Sequence, residues 1–387
     1  MYGNNLLISC PAQEIFTLYY FMQTQGRRME INMNFFDIYV SNTLAGSGNQ
    51  YFFINEDDKK INKGRVYYKV FFGGKFKYSF LFSNILDSTF SDGSKSHKNL
   101  ICNDWYITAL NIGVCAKIEN PQRLSAVTFG GSATKHVMPG EFFCTDEIEI
   151  EAKKGDYICL EISFKGKMIP YHEEIIIPTF VFENNEWISS KYMPVPGMVG
   201  CGRNAKQIGF LGDSITQGIG TEMNSYEHWN AKLAELLGDK FAYWNLGLGF
   251  GRADDAASDG AWLYKAKQND IVFVCFGVND ILQGYTAKQI KENLKKITLL
   301  LKKQGIRVLV QTIPPFDYND KQIDIWNSVN RFIKNELSQY ADWVFDNVPI
   351  LRKNADEPHM AKFGGHPNAE GCESWANALH TYIKEEL

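Results

Sequence analysis

From residue 205 onward, short apolar runs alternate with longer amphipathic ones, and this alternation restricts the chain more than any other feature. "IGFLG", "FAYWNLG", "NDIVFVCFG", "IRVLVQTIPP" and "DWVFD" read as strands. Between and after them, "SYEHWNAKLAELLGDK", "AKQIKENLKKITLLLKKQG", "QIDIWNSVNRFIKNELSQ" and "AEGCESWANALHTYIKEE" read as helices. Ile290, Leu294, Ile297 and Leu301 fall on one helical face, and Gly238 and Gly305 mark helix ends. Strand and helix in alternation predict βαβ units around a parallel sheet covered on both faces.

The preceding half has a different texture. "RVYYKVFF", "KYSFLFSN", "DWYITALNIGVCAKI", "EIEIEA" and "YICLEISF" are β-rich runs between turn signals, within residues 13–183, and no helical apolar stripe interrupts them. They predict an antiparallel β-sandwich of jelly-roll type. "KYMPVPGMVGCGRNAKQ" reads as a Pro/Gly-containing connector, which divides the chain into a β domain over 1–195 and an α/β domain over 205–387.

Composition removes several function classes. A net charge of −4 without blocks of like charge excludes recruitment of nucleic acid or an anionic membrane by bulk electrostatics. The eight cysteines show neither C-x-x-C pairs nor Cys/His clusters at zinc spacing, so they are expected to be mostly buried thiols in a reducing compartment. With no basic segment leading into a long apolar stretch, the expectation is a cytoplasmic protein.

Ligands of a parallel α/β sheet bind outside the carboxyl ends of its strands. In "IGFLGDSITQGIG", Gly212, Asp213 and Ser214 stand at that edge directly after an apolar run. A hydroxyl there faces a crevice, beside backbone N–H groups able to support developing negative charge. Asp and Ser also suit an ordinary helix N-cap. "GDSITQGIG" contains neither a dinucleotide nor a P-loop glycine pattern. "GVND" places Asn279 at the same edge after a buried strand, and "GGHPNAEG" places His366 just ahead of the last helix. His359 has no third ligand at coherent spacing, so no metal is expected. His228 reads as a helix-surface or cleft-lining residue.

"GDSITQG", "GVND" and "HPN" before a terminal helix, in this order, resemble three blocks of the SGNH (GDSL-type) hydrolases, esterases and lipases. The resemblance covers about 207–387 and implies a flavodoxin-like three-layer α/β/α fold. It implies Ser214 as nucleophile, His366 as general base and the Asn279 amide as an oxyanion donor, with the Ser214 N–H as a second. "NLGLGFGRADD" is similar to the family's N-x-G-x-x-G block, whose last residue donates a backbone N–H. By strict count that donor is Phe250; with the loop shifted by one it is Gly249, the choice made here, or Gly251.

One departure stands out. The family carries an acid three residues before the histidine, where this chain has Phe363. Loss of such an orienting carboxylate in a related triad costs roughly 10,000-fold in turnover. Either Asp356 or Glu357 substitutes, or a backbone carbonyl orients His366 in a Ser–His dyad, or the site is degenerate. "GGKFKYSFLFSN", "AVTFGGSATKHVMPGE" and "KKGDYICLEISF" in the β-rich half are similar to the jelly-roll domain that precedes the hydrolase domain in two-domain SGNH esterases, including carbohydrate deacetylases. The resemblance thus implies a serine esterase acting on a small-molecule or oligosaccharide ester, removing short acyl groups from O-acetylated sugars, with no cofactor. The alternatives are a degenerate glycan-binding or scaffold protein and a lipase or thioesterase with longer acyl preference.

Overall fold

The computed structural model describes residues 35–46, 48–87 and 98–387. The start of the expected β domain, residues 1–34 with Cys10, lies outside the described residues.

Two antiparallel sheets form the β-rich part. In one, Gly74–Ser83 pairs with Met198–Cys201 on one side and with Phe142–Cys144 and Ile148–Ala152 on the other, and Val40–Ser41 extends the edge. In the other, the order is Glu186–Ser189, Thr179–Glu183, Asn62–Lys69, Tyr157–Gly166, Trp105–Cys115 and Ser125–Ala126. Along Ile148–Ala152 the pleat sets which side chains turn inward: Ile150 and Ala152 are buried, whereas Glu149 and Glu151 are exposed. Trp105 of the second sheet meets Phe143 of the first, ring centroids 6.4 Å apart. A two-stranded ribbon, Tyr51–Ile54 with Met168–Tyr171, lies apart from both sheets.

Met198–Cys201 corrects the reading of 191–207 as a plain connector. All four of its residues are buried, and the strand bridges Val40–Ser41 and Gly74–Ser83. Four residues containing a glycine and flanked by Pro and Gly carry too weak a β signal to be seen locally.

The second part is a five-stranded parallel sheet, ordered Phe241–Gly247, Lys206–Gly212, Ile271–Cys275, Arg307–Gln311 and Trp343–Phe345. In chain order this is 2-1-3-4-5, so the strand order reverses beside Lys206–Gly212, and a crevice opens there at the carboxyl edge. The helices Trp229–Leu237 and Ala369–Ile383 pack on each other through stacked Trp229 and Trp375, centroids 4.9 Å apart. Ala253–Ala257, Ala287–Lys303 and Asp320–Asn335 make the other helical layer. Ile290, Leu294, Ile297 and Leu301 are all buried on the inner stripe of Ala287–Lys303, whose first turn is closed by a Thr286/Gln289 capping box. Among the described residues no helix is long and apolar enough to cross a membrane. The described cysteines form no disulfide, and all but Cys144 are buried.

Side chains from both parts make one continuous apolar core. Phe71 meets Tyr243 edge-on at 5.3 Å, and Trp244 Nε1 donates to the Gly197 carbonyl at 3.0 Å. Lys265 of the α/β part and Asp87 of the β part form an ion pair of 2.6 Å whose side chains are 1% and 0% exposed. Removing one partner of such a pair strands a buried charge, which typically costs about 3–5 kcal/mol. Lys265→Ala is therefore expected to destabilise the fold by about that amount. Chemical denaturation checks this; a loss below about 1 kcal/mol would mean that water reaches Asp87.

Candidate active site

Two strand ends and the loop before the last helix converge on Ser214. Asp213 and Ser214 follow Lys206–Gly212, and Asp213 caps the short helix Ser214–Gln217 by accepting from the Ile215 N–H at 3.0 Å. Only glycine fits at 212, since a Cβ would collide with Thr216 Oγ1 and the Cys275 carbonyl. Asn279 opens the helix Val278–Leu282 after the strand Ile271–Cys275. Gly277 turns the chain there at φ 127°, where a Cβ would strike Ile313. His366 precedes Ala369–Ile383, whose N-cap Asn368 accepts from the Gly371 N–H at 3.0 Å.

These elements set His366 Nε2 at 2.8 Å from Ser214 Oγ. Ser214 is 8% exposed, and burial lowers the His366 pKa from the usual 6.5. The Phe316 ring stands edge-on to the imidazole at 5.5 Å, and its loop is held by the His359 carbonyl, which accepts the Phe316 and Asp317 N–H groups. A neutral imidazole within hydrogen-bond reach of a hydroxyl can act as its base.

Asn279 Nδ2 donates to the Gly251 carbonyl at 3.0 Å, which fixes the amide and leaves its second N–H to donate elsewhere. Among the described residues the Ser214 N–H has no acceptor either. In the 245–251 loop, the Gly251 N–H is used by the Leu248 carbonyl at 3.1 Å. The Gly249 and Phe250 N–H groups have no protein acceptor among the described residues, and Phe250 adopts φ 57°. The loop thus offers Gly249 or Phe250, not Gly251, as a donor.

The structure does not bring the expected acids to His366. Asp356 and Glu357 are exposed, and Glu357 is held on its own turn by Asn354 at 3.1 Å and Lys353 at 3.9 Å. Among the described residues neither a carboxylate nor a backbone carbonyl is hydrogen-bonded to His366 Nδ1. Phe363 serves the turn instead: its carbonyl accepts the Asn368 N–H at 3.2 Å, and its ring packs against Gly371.

His228 is also misplaced by the sequence reading. It is fully buried, bonds the Leu44 carbonyl at 3.1 Å through Nε2, and burial lowers its pKa to about 4. The helix begins one residue later, at Trp229, so His228 joins the two parts rather than facing solvent. Beneath the site, burial pushes Asp213 and Asp280 up to about 7, and the charge of Asp280 adds to the effect on Asp213.

Residues 210–373 match the GDSL-like Lipase/Acylhydrolase family. The carboxy-terminal half carries a GDSL-like acylhydrolase domain. An acetylxylan esterase from Xylanibacter ruminicola is 22% identical to the chain over 258 residues. That match takes in 57% of this chain and 49% of the relative, so the chain spans about half the relative's length. A family two carbohydrate esterase from Clostridium thermocellum, solved with cellohexaose, overlaps 90% of this chain and 98% of its own, at 11% identity and TM-score 0.40. A lipolytic G-D-S-L family protein from Veillonella parvula overlaps 47% of this chain and 100% of its own, at 18% identity and TM-score 0.39. Structural overlaps this loose carry no argument about activity. Within residues 210–373 lie Ser214, Asn279 and His366, while Gln50 and Glu174 reach the 245–251 loop from the β part. Neither of these two had a local signature, although Phe316, just past the end of the strand Arg307–Gln311, could have been picked out by its place at the carboxyl edge.

Proposed function

We propose that the chain is a serine esterase that removes acetyl groups from O-acetylated sugars or oligosaccharides. The observation that carries this reading is the 2.8 Å contact between Ser214 Oγ and His366 Nε2 beside an Asn279 amide with one free N–H. His366 takes the Ser214 proton as Oγ attacks the acyl carbonyl. The oxyanion is held by Asn279 Nδ2–H, the Ser214 N–H and the backbone N–H of Gly249, with Phe250 the other candidate for that third donor. His366 then protonates the departing sugar oxygen. A water molecule, deprotonated by His366, attacks the acyl-enzyme and releases acetate.

Packing against Phe316, rather than a carboxylate, would hold the imidazole in a Ser–His dyad. A nearby carboxylate would favour the charged imidazole, whereas burial disfavours it. The base is active when neutral, so activity falls as pH drops through the His366 pKa. The acid limb of kcat/KM is accordingly expected below 6.5, the ordinary histidine value. A pH–rate profile with its acid limb above that value would indicate a carboxylate partner. The acetyl preference draws support from the acetylxylan esterase relative. Hydrolysis of 4-nitrophenyl acetate, butyrate and octanoate tests it: rates should be highest with acetate, and a preference for octanoate would favour a lipase or thioesterase.

A further inference from the structure

Glu174, in the β part, is fixed against the catalytic loop of the acylhydrolase domain. Its N–H donates to Gln50 Oε1 at 3.2 Å, and its carbonyl accepts from Gln217 Nε2, three residues beyond Ser214. Gln50 in turn donates through Nε2 to the Gly249 carbonyl at 3.0 Å. Two amide side chains thus clamp the Glu174 backbone between the Ser214 helix and the loop that supplies an oxyanion donor. The Glu174 carboxyl rests on Gly249 so closely that a Cβ there would overlap it.

Among the described residues no donor is hydrogen-bonded to this carboxyl and no cation is paired with it. The neighbouring Lys191 pairs with Glu173 at 3.7 Å and acts on Glu174 only through its charge. Glu174 is half-buried. Both carboxyl oxygens stay open to solvent while the backbone is fixed on both sides, and burial, with the nearby Glu173 charge, raises the pKa of the group. Its lone pairs are left for groups that enter the cleft. Its sign matters too: in its ionised form, a carboxyl beside the oxyanion loop opposes the charge that develops there. A substrate that brings hydroxyl donors spreads that charge, and a plain alkyl or aryl acetate does not.

We propose that Glu174 binds substrate by accepting hydrogen bonds from hydroxyls next to the scissile ester, and so selects esters of polyols over simple esters. The inference rests on the sugar-ester reading above and names the group that enforces it. The experiment compares wild type, Glu174→Gln and Glu174→Ala on acetylated xylooligosaccharides and on 4-nitrophenyl acetate, with thermal melts to confirm folding. Loss of hydrogen bonds to a charged acceptor is expected to lower kcat/KM on the oligosaccharide about 10- to 100-fold, mainly through KM. The ratio of oligosaccharide to 4-nitrophenyl acetate kcat/KM should fall at least about tenfold in both variants. Glu174→Gln preserves shape, so it serves as the test even where the alanine variant fails to fold. A ratio within about twofold of wild type in the glutamine variant would overturn the role of Glu174 and leave the sugar-ester reading standing. Wild type that cleaves 4-nitrophenyl acetate but no acetylated sugar would sink that reading and this one together.

Discussion

Ser214→Ala is expected to lower kcat on 4-nitrophenyl acetate by about 10,000-fold or more, with little change in the melting temperature. The hydroxyl is small, and the surrounding backbone bonds, from Gly218 and Ile219 to the Ser214 carbonyl, do not involve it. His366→Ala should cost nearly as much, because the two side chains act as a unit through their 2.8 Å contact. The double variant should then be no worse than either single one, the non-additivity that marks a coupled nucleophile and base. If the effects of the two single changes multiply instead, the residues act independently and the dyad is wrong.

Asn279→Ala carries the second large effect. Oxyanion donors act on charge that exists only in the transition state, so their loss lowers kcat while KM moves little. Removal of one such donor typically costs about 100- to 1000-fold in kcat. The amide is held to the Gly251 carbonyl at 3.0 Å, so its geometry is set before substrate arrives. Asn279→Asp should be at least as damaging, since it removes the donor and adds a charge of the wrong sign. Steady-state kinetics of both variants check this, and an effect confined to KM would show that Asn279 merely binds the ground state.

Much of this was legible in the primary structure because the relevant signals are local. Each strand of the parallel sheet is a short apolar run followed by a turn, and Ser214 and Asn279 stand directly after two of them. His366 was readable from its place before the last amphipathic helix, and Gly238 ends the helix Trp229–Leu237 with φ 77°. The proposed oxyanion donor in the 245–251 loop was ambiguous for a physical reason: only a backbone N–H is required, so side-chain identity hardly constrains whether Gly249 or Phe250 would supply it. Met198–Cys201 was missed because its β character comes from two neighbouring strands rather than from its own four residues. His228, Gln50 and Glu174 were opaque because their partners, Leu44, Gly249 and Gln217, lie far away in the chain or across the two parts. The search for an acid near Phe363 failed similarly, because exposed Asp356 and Glu357 are close to His366 in sequence only.

The most direct test of the central claim is covalent labelling with an organophosphorus fluoride, followed by intact-protein and peptide mass spectrometry. An activated Ser214 should take up a single phosphoryl group, located on the peptide that contains it, and both Ser214→Ala and His366→Ala should abolish the adduct. An unlabelled wild-type protein, or label on another residue that persists in Ser214→Ala, would contradict the account.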